Sequence, residues 1–424
     1  MRLAGNLRVE LLVGFLLKGA GAVSSFGLTW LIARAFGATT VGLFQIALAT
    51  ANFAVILAGQ GLDRVLVRLV SVSLSHDRSG EAAAYFRTAA KRTFLAGGLI
   101  AILVFLVADP FATRLLNEPR AAVFLQTFAP VILALTLIRL CASLLRSNGD
   151  ILISQSLDGV SYTTFAFCAV GAAYWVAGVD WPLFPALAYL AGAFIVVLYA
   201  LYRSRSLMAG WGSPQSVRLP TSAGLYVTAF VGMASVSDWL GLMVLTSAEG
   251  AASAGIYRTA FQICMLFTIV NASFATMVGP RIAAAGARRD VAAINQANRT
   301  ASLLGTLICL PLFLLVMWRP DFVLGLFGPE FTAGADALRI LAVGQLVNVA
   351  FGPMGASLTM MSRERAVFLI ELVATLGALA IIVAGVPVYG MVAIAVASAV
   401  ASFSRNALSW LALRRELRAI ETAG

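Results

Sequence analysis

The sequence predicts an all-α, polytopic membrane protein with twelve transmembrane helices, and three observations carry that prediction. Sixty per cent of the 424 residues are hydrophobic and only 12% are charged, against about 25% charged in soluble domains. Apolar runs of about 20 residues recur from end to end, enough to cross roughly 30 Å of hydrocarbon at about 1.5 Å per residue. The alternating pattern of an outer-membrane barrel is absent from the sequence.

The spans fall at 11–33, 43–66, 93–108, 122–145, 152–177, 182–202, 224–246, 255–280, 300–318, 336–360, 366–385 and 389–412. Basic residues give their orientation. The loops 1–10, 67–92, 146–151, 203–223, 281–299, 361–365 and 413–424 hold 20 lysines and arginines. The opposite loops hold Arg34, Arg114, Arg120 and Arg319. Lysine and arginine collect on the cytoplasmic side, so both termini are expected there. An alkaline-phosphatase fusion at the C-terminus should be inactive and a fluorescent-protein fusion bright; the reverse pattern would reject the twelve-span map.

The net charge of +11 is mostly this topology signal. Nucleic-acid binding would need a basic folded domain, and no soluble segment is long enough to form one. The first apolar run contains Lys18 and lacks a small-residue cleavage site, so it reads as a retained helix. Cys141, Cys168, Cys264 and Cys309 lie within spans without ligand spacing and read as small packing residues. His76 stands alone in a loop beside Asp77 and Arg78 and reads as a solvated surface residue. No metal centre or cofactor is expected.

Loop 203–223, rich in Ser, Gly and Pro, separates six helices from six. The domains read as an N-terminal six-helix bundle (1–202), a cytoplasmic linker (203–223), a C-terminal six-helix bundle (224–412) and a cytoplasmic tail (413–424). A shift of 213 residues aligns the halves without a gap: Gly37 falls on Gly250, Ala38 on Ala251, Gly42 on Gly255, Ala47 on Ala260, Ile56 on Ile269, Val65 on Val278 and Arg68 on Arg281. Phe44 meets Tyr257. An even number of helices per half makes the repeat parallel, with its pseudo-two-fold along the membrane normal.

The same residues carry a family likeness. The run 31–71 contains Phe36–Gly37, then Gly42–Leu43–Phe44, then a long helix ending in Gly61–Leu62–Asp63 and Arg68. It resembles the opening signature of the polysaccharide biosynthesis, or O-antigen oligosaccharide, flippases. These belong to the multidrug/oligosaccharidyl-lipid/polysaccharide (MOP) exporter superfamily. The segments 254–263 and 325–341 are similar to that family as well. The resemblance implies a MATE-like pair of six-helix bundles in a bacterial inner membrane. It implies alternating access and movement of a polyprenyl-pyrophosphate-linked oligosaccharide, an O-antigen or exopolysaccharide repeat unit, to the outer leaflet. The implied partners are that lipid-linked oligosaccharide, membrane lipid, a polysaccharide polymerase and a chain-length regulator.

Such a substrate needs cations for its pyrophosphate. Charge inside a span costs on the order of 2.5–3.5 kcal/mol on insertion scales, so each such residue is a functional candidate by default. Lys18 lies a third of the way into the first span, flanked by Gly14, Gly19 and Gly21. It reads as a phosphate ligand, or as a side chain snorkelling to the cytoplasmic face. The resemblance implies a basic residue in the first helix for the lipid phosphates. Arg139, deep in the fourth span, reads as a ligand or as one half of an ion pair with Asp158 or with another helix of the bundle. Arg258 fits an outer phosphate or sugar contact or a side chain snorkelling outward, and Arg405 a ligand or a helix–helix clamp. Asp63, Arg64 and Arg68 form the signature at the cytoplasmic end of the second span and read as a gate or a structural pair. Three acids, Asp238, Glu371 and Asp158, are candidates for coupling to protons or Na⁺; the resemblance implies one such acid in the seventh helix. The rival readings are a drug/cation antiporter of the same superfamily and a membrane-embedded polymerase or transferase. The antiporter would want an acidic lumen, and the enzyme a longer outer loop or a catalytic group.

Overall fold

The apolar runs fold as helices, and no strand occurs among the described residues of the computed structural model. The structure describes residues 6–212, 217, 219, 221–288, 290–361 and 363–422. Much of the expected 203–223 linker therefore lies outside the described residues. The helices are α1 (Asn6–Gly59), α2 (Leu62–Ser75), α3 (Ser79–Pro110), α4 (Ala121–Ser147), α5 (Ile151–Gln155), α6 (Ser161–Val176) and α7 (Phe184–Met208). They continue as α8 (Thr221–Ala287), α9 (Val291–Trp318), α10 (Pro320–Gly325), α11 (Ala335–Phe351), α12 (Met354–Met360) and α13 (Glu364–Thr422). Among the described residues, eight helical segments are long and apolar enough to cross a membrane. Three of these, α1, α8 and α13, contain a glycine break and hold two spans each. The interrupted segment 151–176 holds one more. The twelve spans are accommodated in this way.

The breaks are sharp turns. Gln45 Nε2 donates to Thr29 Oγ1 at 3.4 Å, although sixteen residues of straight helix would separate them by about 24 Å. The chain therefore doubles back at Gly37. The same holds at Gly390, where a Cβ added to Gly385 would lie 3.0 Å from Ala393 Cβ. Gly37 adopts φ 79°, ψ 176° and Gly250 adopts φ 85°, ψ 175°. The two glycines that the 213-residue shift superimposes thus make the same turn. Their neighbours repeat too: Ala38 and Ala251, Ala47 and Ala260, and Phe44 and Tyr257 are all buried.

The chain divides into two compact units, Met1–Ser235 and Val236–Gly424. In the first, α4 lies against α1, α3 and α7. Phe44 meets Phe128 edge-on at 5.4 Å, and Tyr189 stacks on Phe128 at 5.4 Å. The signature aromatic is thus a core anchor joining three helices, and such aromatic pairs add about 0.5–1.5 kcal/mol beyond burial. In the second unit α13 packs against α11 and α12, and α9 against α11.

Three expectations need correction. The second span does not run unbroken through 43–66: α1 stops at Gly59, Gln60 and Gly61 take positive φ of 49° and 63°, and α2 starts afresh. The Gly61–Leu62–Asp63 signature therefore opens a helix instead of closing one. α2 reaches Ser75 and α3 begins at Ser79, so the loop expected over 67–92 shrinks to three residues. α2 buries Leu62, Leu66, Val70 and Ser73 along one stripe, the amphipathic spacing that an apolar-run search passes over. The ninth span, expected from 300, begins at Val291, where Asp290 caps Ala293 N–H at 2.9 Å.

Prolines behave unequally. Helix continues through Pro130 and Pro311, whereas α11 ends at Gly352–Pro353. His76 is exposed. Cys141, Cys264 and Cys309 are buried and Cys168 is exposed. Trp175, Trp181 and Trp318 are exposed near expected interfaces, as interfacial anchors would be.

Candidate functional site

The first unit holds a polar cavity at two helix breaks. One break is Gln60–Gly61 between α1 and α2. The other lies between α5 and α6, where Asp158 (ψ 69°) and Gly159 (φ 103°) leave helical geometry. Helices interrupted at membrane depth free backbone groups, and such breaks are tolerated where they line a cavity. Close packing brings the second break to α1. A Cβ at Gly14 would sit 2.6 Å from Gln155 Oε1, one at Gly21 3.0 Å from Val160 Cγ2, and one at Gly27 2.6 Å from Phe167 Cε2. Gly14, Gly21 and Gly27 thus let the segment 151–176 lie against α1.

A cavity of about 440 Å³ is lined by Asp63, Arg64, Val67, Arg139, Ser143, Arg146 and Asp158. A neighbouring cavity of about 320 Å³ is lined by Lys18, Gly21, Ser25, Gly159, Thr163 and the same Asp158. Five of the sequence candidates, Lys18, Asp63, Arg64, Arg139 and Asp158, therefore gather around two adjoining spaces. Arg68 lies one turn further along α2, exposed, and does not line either.

The pairing differs from the expected Arg139–Asp158 ion pair. Asp158 Oδ2 instead faces Arg146 Nη2 at 3.5 Å, and Arg146 Nε donates to Ser154 Oγ at 3.2 Å. Arg139 Nη2 donates to Asn52 Oδ1 at 3.5 Å. The reason is reach: Arg146 stands at the end of α4, beside the break that carries Asp158, while Arg139 lies two turns deeper. Arg146 escaped the sequence reading because it fell one residue beyond the fourth span and was counted as a loop charge.

The remaining candidates lie in the second unit. Arg405 Nε pairs with Glu371 Oε2 at 3.0 Å, so Arg405 clamps the two arms of α13. Glu371 is 7% exposed and its Oε1 has no hydrogen-bond partner. Asp238 is exposed, and its cationic neighbours are Arg258 and Arg405. It stands twelve residues before the Gly250 turn, about 18 Å down the helix, close to the depth of a bilayer midplane. Arg258 lies over the Phe261 ring at 5.3 Å.

Polar residues without charge were missed altogether. Asn406 Nδ2 donates to Asn348 Oδ1 at 2.7 Å, Asn348 Nδ2 to Gln345 Oε1 at 3.4 Å, and Thr268 Oγ1 to Gln345 Oε1 at 3.2 Å. This chain ties α8, α11 and α13 together.

Residues 10–285 match the family described as polysaccharide biosynthesis protein. The chain belongs to that family. Among curated proteins it is similar to EpsK of Bacillus subtilis (strain 168), an uncharacterized membrane protein, with 27% identity over 234 residues. That match takes in 52% of this chain and 46% of EpsK, so the chain spans about half the length of that relative. Among solved structures it is similar to an inward-facing multidrug resistance MATE family transporter of the MOP superfamily. The TM-score there is 0.77 at 14% identity, over 95% of this chain and 96% of that one. It is also similar to the lipid II flippase MurJ in an inward closed conformation, with a TM-score of 0.78 at 12% identity, over 96% of this chain and 90% of that one. These likenesses establish the fold: a MATE- and MurJ-type, all-α integral membrane protein of the polysaccharide biosynthesis family.

Proposed function

We propose that the protein moves a polyprenyl-pyrophosphate-linked oligosaccharide, an O-antigen or exopolysaccharide repeat unit, from the cytoplasmic to the outer leaflet of a bacterial inner membrane by alternating access. The observation that carries this reading is the charge around the two helix breaks, where Lys18, Arg64, Arg139 and Arg146 outnumber Asp63 and Asp158. A pyrophosphate diester is dianionic, and guanidinium forks bind phosphate oxygens bidentately. The Arg146–Asp158 pair is about half exposed on both sides, a setting in which ion pairs contribute about 0–1 kcal/mol. An entering phosphate can therefore take Arg146 from Asp158 at small cost. The same excess of cations disfavours export of a cationic drug through this cavity. In this reading a polysaccharide polymerase and a chain-length regulator receive the flipped unit, and both chain termini stay in the cytoplasm.

Export against a concentration difference needs a driving gradient, which we assign to protons or Na⁺ acting through Asp238, with Glu371 as the second acid. The test is headgroup translocation in proteoliposomes containing the full chain and a polyprenyl-pyrophosphate oligosaccharide, with and without an imposed ion gradient. The wild type should translocate faster with the gradient, and Asp238→Asn should fold but lose that acceleration. No translocation by the wild type would end the flippase reading. Full gradient-driven transport by Asp238→Asn would make Asp238 structural and shift the coupling to Glu371.

A further inference from the structure

A second cavity, of about 830 Å³, lies wholly within the C-terminal unit. Val291, Asn295, Arg299 and Ser302 line it from one face of α9, and Phe403, Trp410, Arg414 and Arg418 from one face of α13. Its floor is the end of α11, contributed by Val347, Ala350 and Phe351. That floor exists because α11 stops short. Gly352 takes φ 76°, a conformation that favours glycine, and a Cβ there would make a tight 3.3 Å contact with Asn298 O of α9. Ser302 Oγ donates to the Ala350 carbonyl at the break.

Two properties of the cavity point to its ligand. Three arginines and no carboxylate line it among the described residues, and the Arg414 guanidinium is held over the Trp410 ring at 4.0 Å. Asn298 is 3% exposed; its Oδ1 accepts from Ser357 Oγ at 2.9 Å, while its Nδ2 is buried with no partner. The lining thus offers one unsatisfied buried donor, Asn298 Nδ2, and positive charge. Polarity is also graded along the cavity. Phe351 and Phe403 meet edge-on at 6.2 Å at one end, and Arg414 and Arg418 stand at the other. From residue 403 to residue 418 the helix runs about 22 Å. A free anion would leave the apolar half unused, and a neutral apolar ligand would leave the positive charge of Arg299 and Arg414 unanswered.

We propose that this cavity is a binding site for a lipid-borne phosphate, with the headgroup among Arg299, Arg414 and Arg418 and the first part of the chain along Phe403 and Phe351. Basic pockets between membrane helices on the cytoplasmic side hold anionic headgroups. The loops flanking these helix ends, 281–299, 361–365 and 413–424, are the ones that the charge pattern assigns to the cytoplasm. The site is separate from the cation–acid cavity of the N-terminal unit and shares no residue with it.

The test uses the purified full chain in phosphatidylcholine nanodiscs, titrated separately with cardiolipin, undecaprenyl pyrophosphate and inorganic pyrophosphate, with binding read by native mass spectrometry. Arg299→Gln/Arg414→Gln should bind the lipid phosphates roughly thirtyfold more weakly, at about fivefold per arginine, and Arg299→Lys/Arg414→Lys should keep most of the affinity. Arg339→Gln, at a cation that lines neither cavity, should leave this binding unchanged. Cardiolipin binding that the glutamine pair loses identifies a resident phospholipid, and undecaprenyl pyrophosphate binding alone that the pair loses a carrier lipid; either supports the site. Equal binding by the wild type and the glutamine pair would overturn it, as would an equal loss on Arg339→Gln or inorganic pyrophosphate binding as tightly as the lipids. Should the glutamine pair fail to fold, the single variant Arg299→Gln carries the same comparison, at about fivefold.

Discussion

Replacing Arg139 by glutamine should lower the proposed flippase activity about 10- to 100-fold while leaving insertion intact. Hydrogen bonds to charged groups contribute about 1.5–3 kcal/mol, and each 1.4 kcal/mol is a factor of ten. Arg139 lines the cavity at the α1–α2 break and has only a long contact to Asn52, at 3.5 Å, to lose. Its removal should therefore cost substrate binding more than folding. Lys18→Ala should have a similar effect, since Lys18 lines the adjoining space across Asp158. The measurement is polysaccharide production in a flippase-null strain, with membrane protein levels followed by immunoblot. Wild-type production by either variant would remove that residue from the site.

Gly37→Ala and Gly250→Ala should each destabilise the fold by about 1–3 kcal/mol, because a positive φ with ψ near 180° is open almost only to glycine. At Gly250 an added Cβ meets nothing within 4 Å, so the whole penalty there is backbone strain. A drop in apparent melting temperature of about 2–10 °C should follow, read by size-exclusion survival after heating in detergent. The turns are far apart in sequence and belong to different units, so the double variant should lose about the sum. Either single variant melting with the wild type would show that the turn tolerates a side chain.

Apolar run length was enough to place the spans, because crossing hydrocarbon demands long uninterrupted apolar chain. The repeat was legible for a related reason. A turn that only glycine can make leaves the same residue at Gly37 and Gly250, with small buried neighbours behind it. The helix breaks that build the cavity left weaker traces. Gln60 has no compositional mark of positive φ, and Gly61–Leu62–Asp63 looks the same whether it closes one helix or opens the next. Arg64, Arg139, Lys18 and Asp158 stood out because charge in a span is costly. Asn52, Gln345, Asn348 and Asn406 did not, since neutral amides leave the hydropathy of a span nearly unchanged. Arg146 was hidden by a boundary error of two residues, α4 running to Ser147 and not to 145.

The turn at Gly390 has a mechanical consequence. A Cβ there would overlap the carboxylate of Glu249, the residue immediately before the Gly250 turn. The tips of two helical hairpins, one from α8 and one from α13, are therefore pinned against each other with no slack between them. Further down, Ile382 and Ile394 on the two arms of α13 close over Gly241 of α8, so the joint extends for several turns below the tips. The first arm of α8 and the two arms of α13 thus pack together from the tips downward. Sliding one hairpin tip past the other would need the Glu249 side chain to leave Gly390 first.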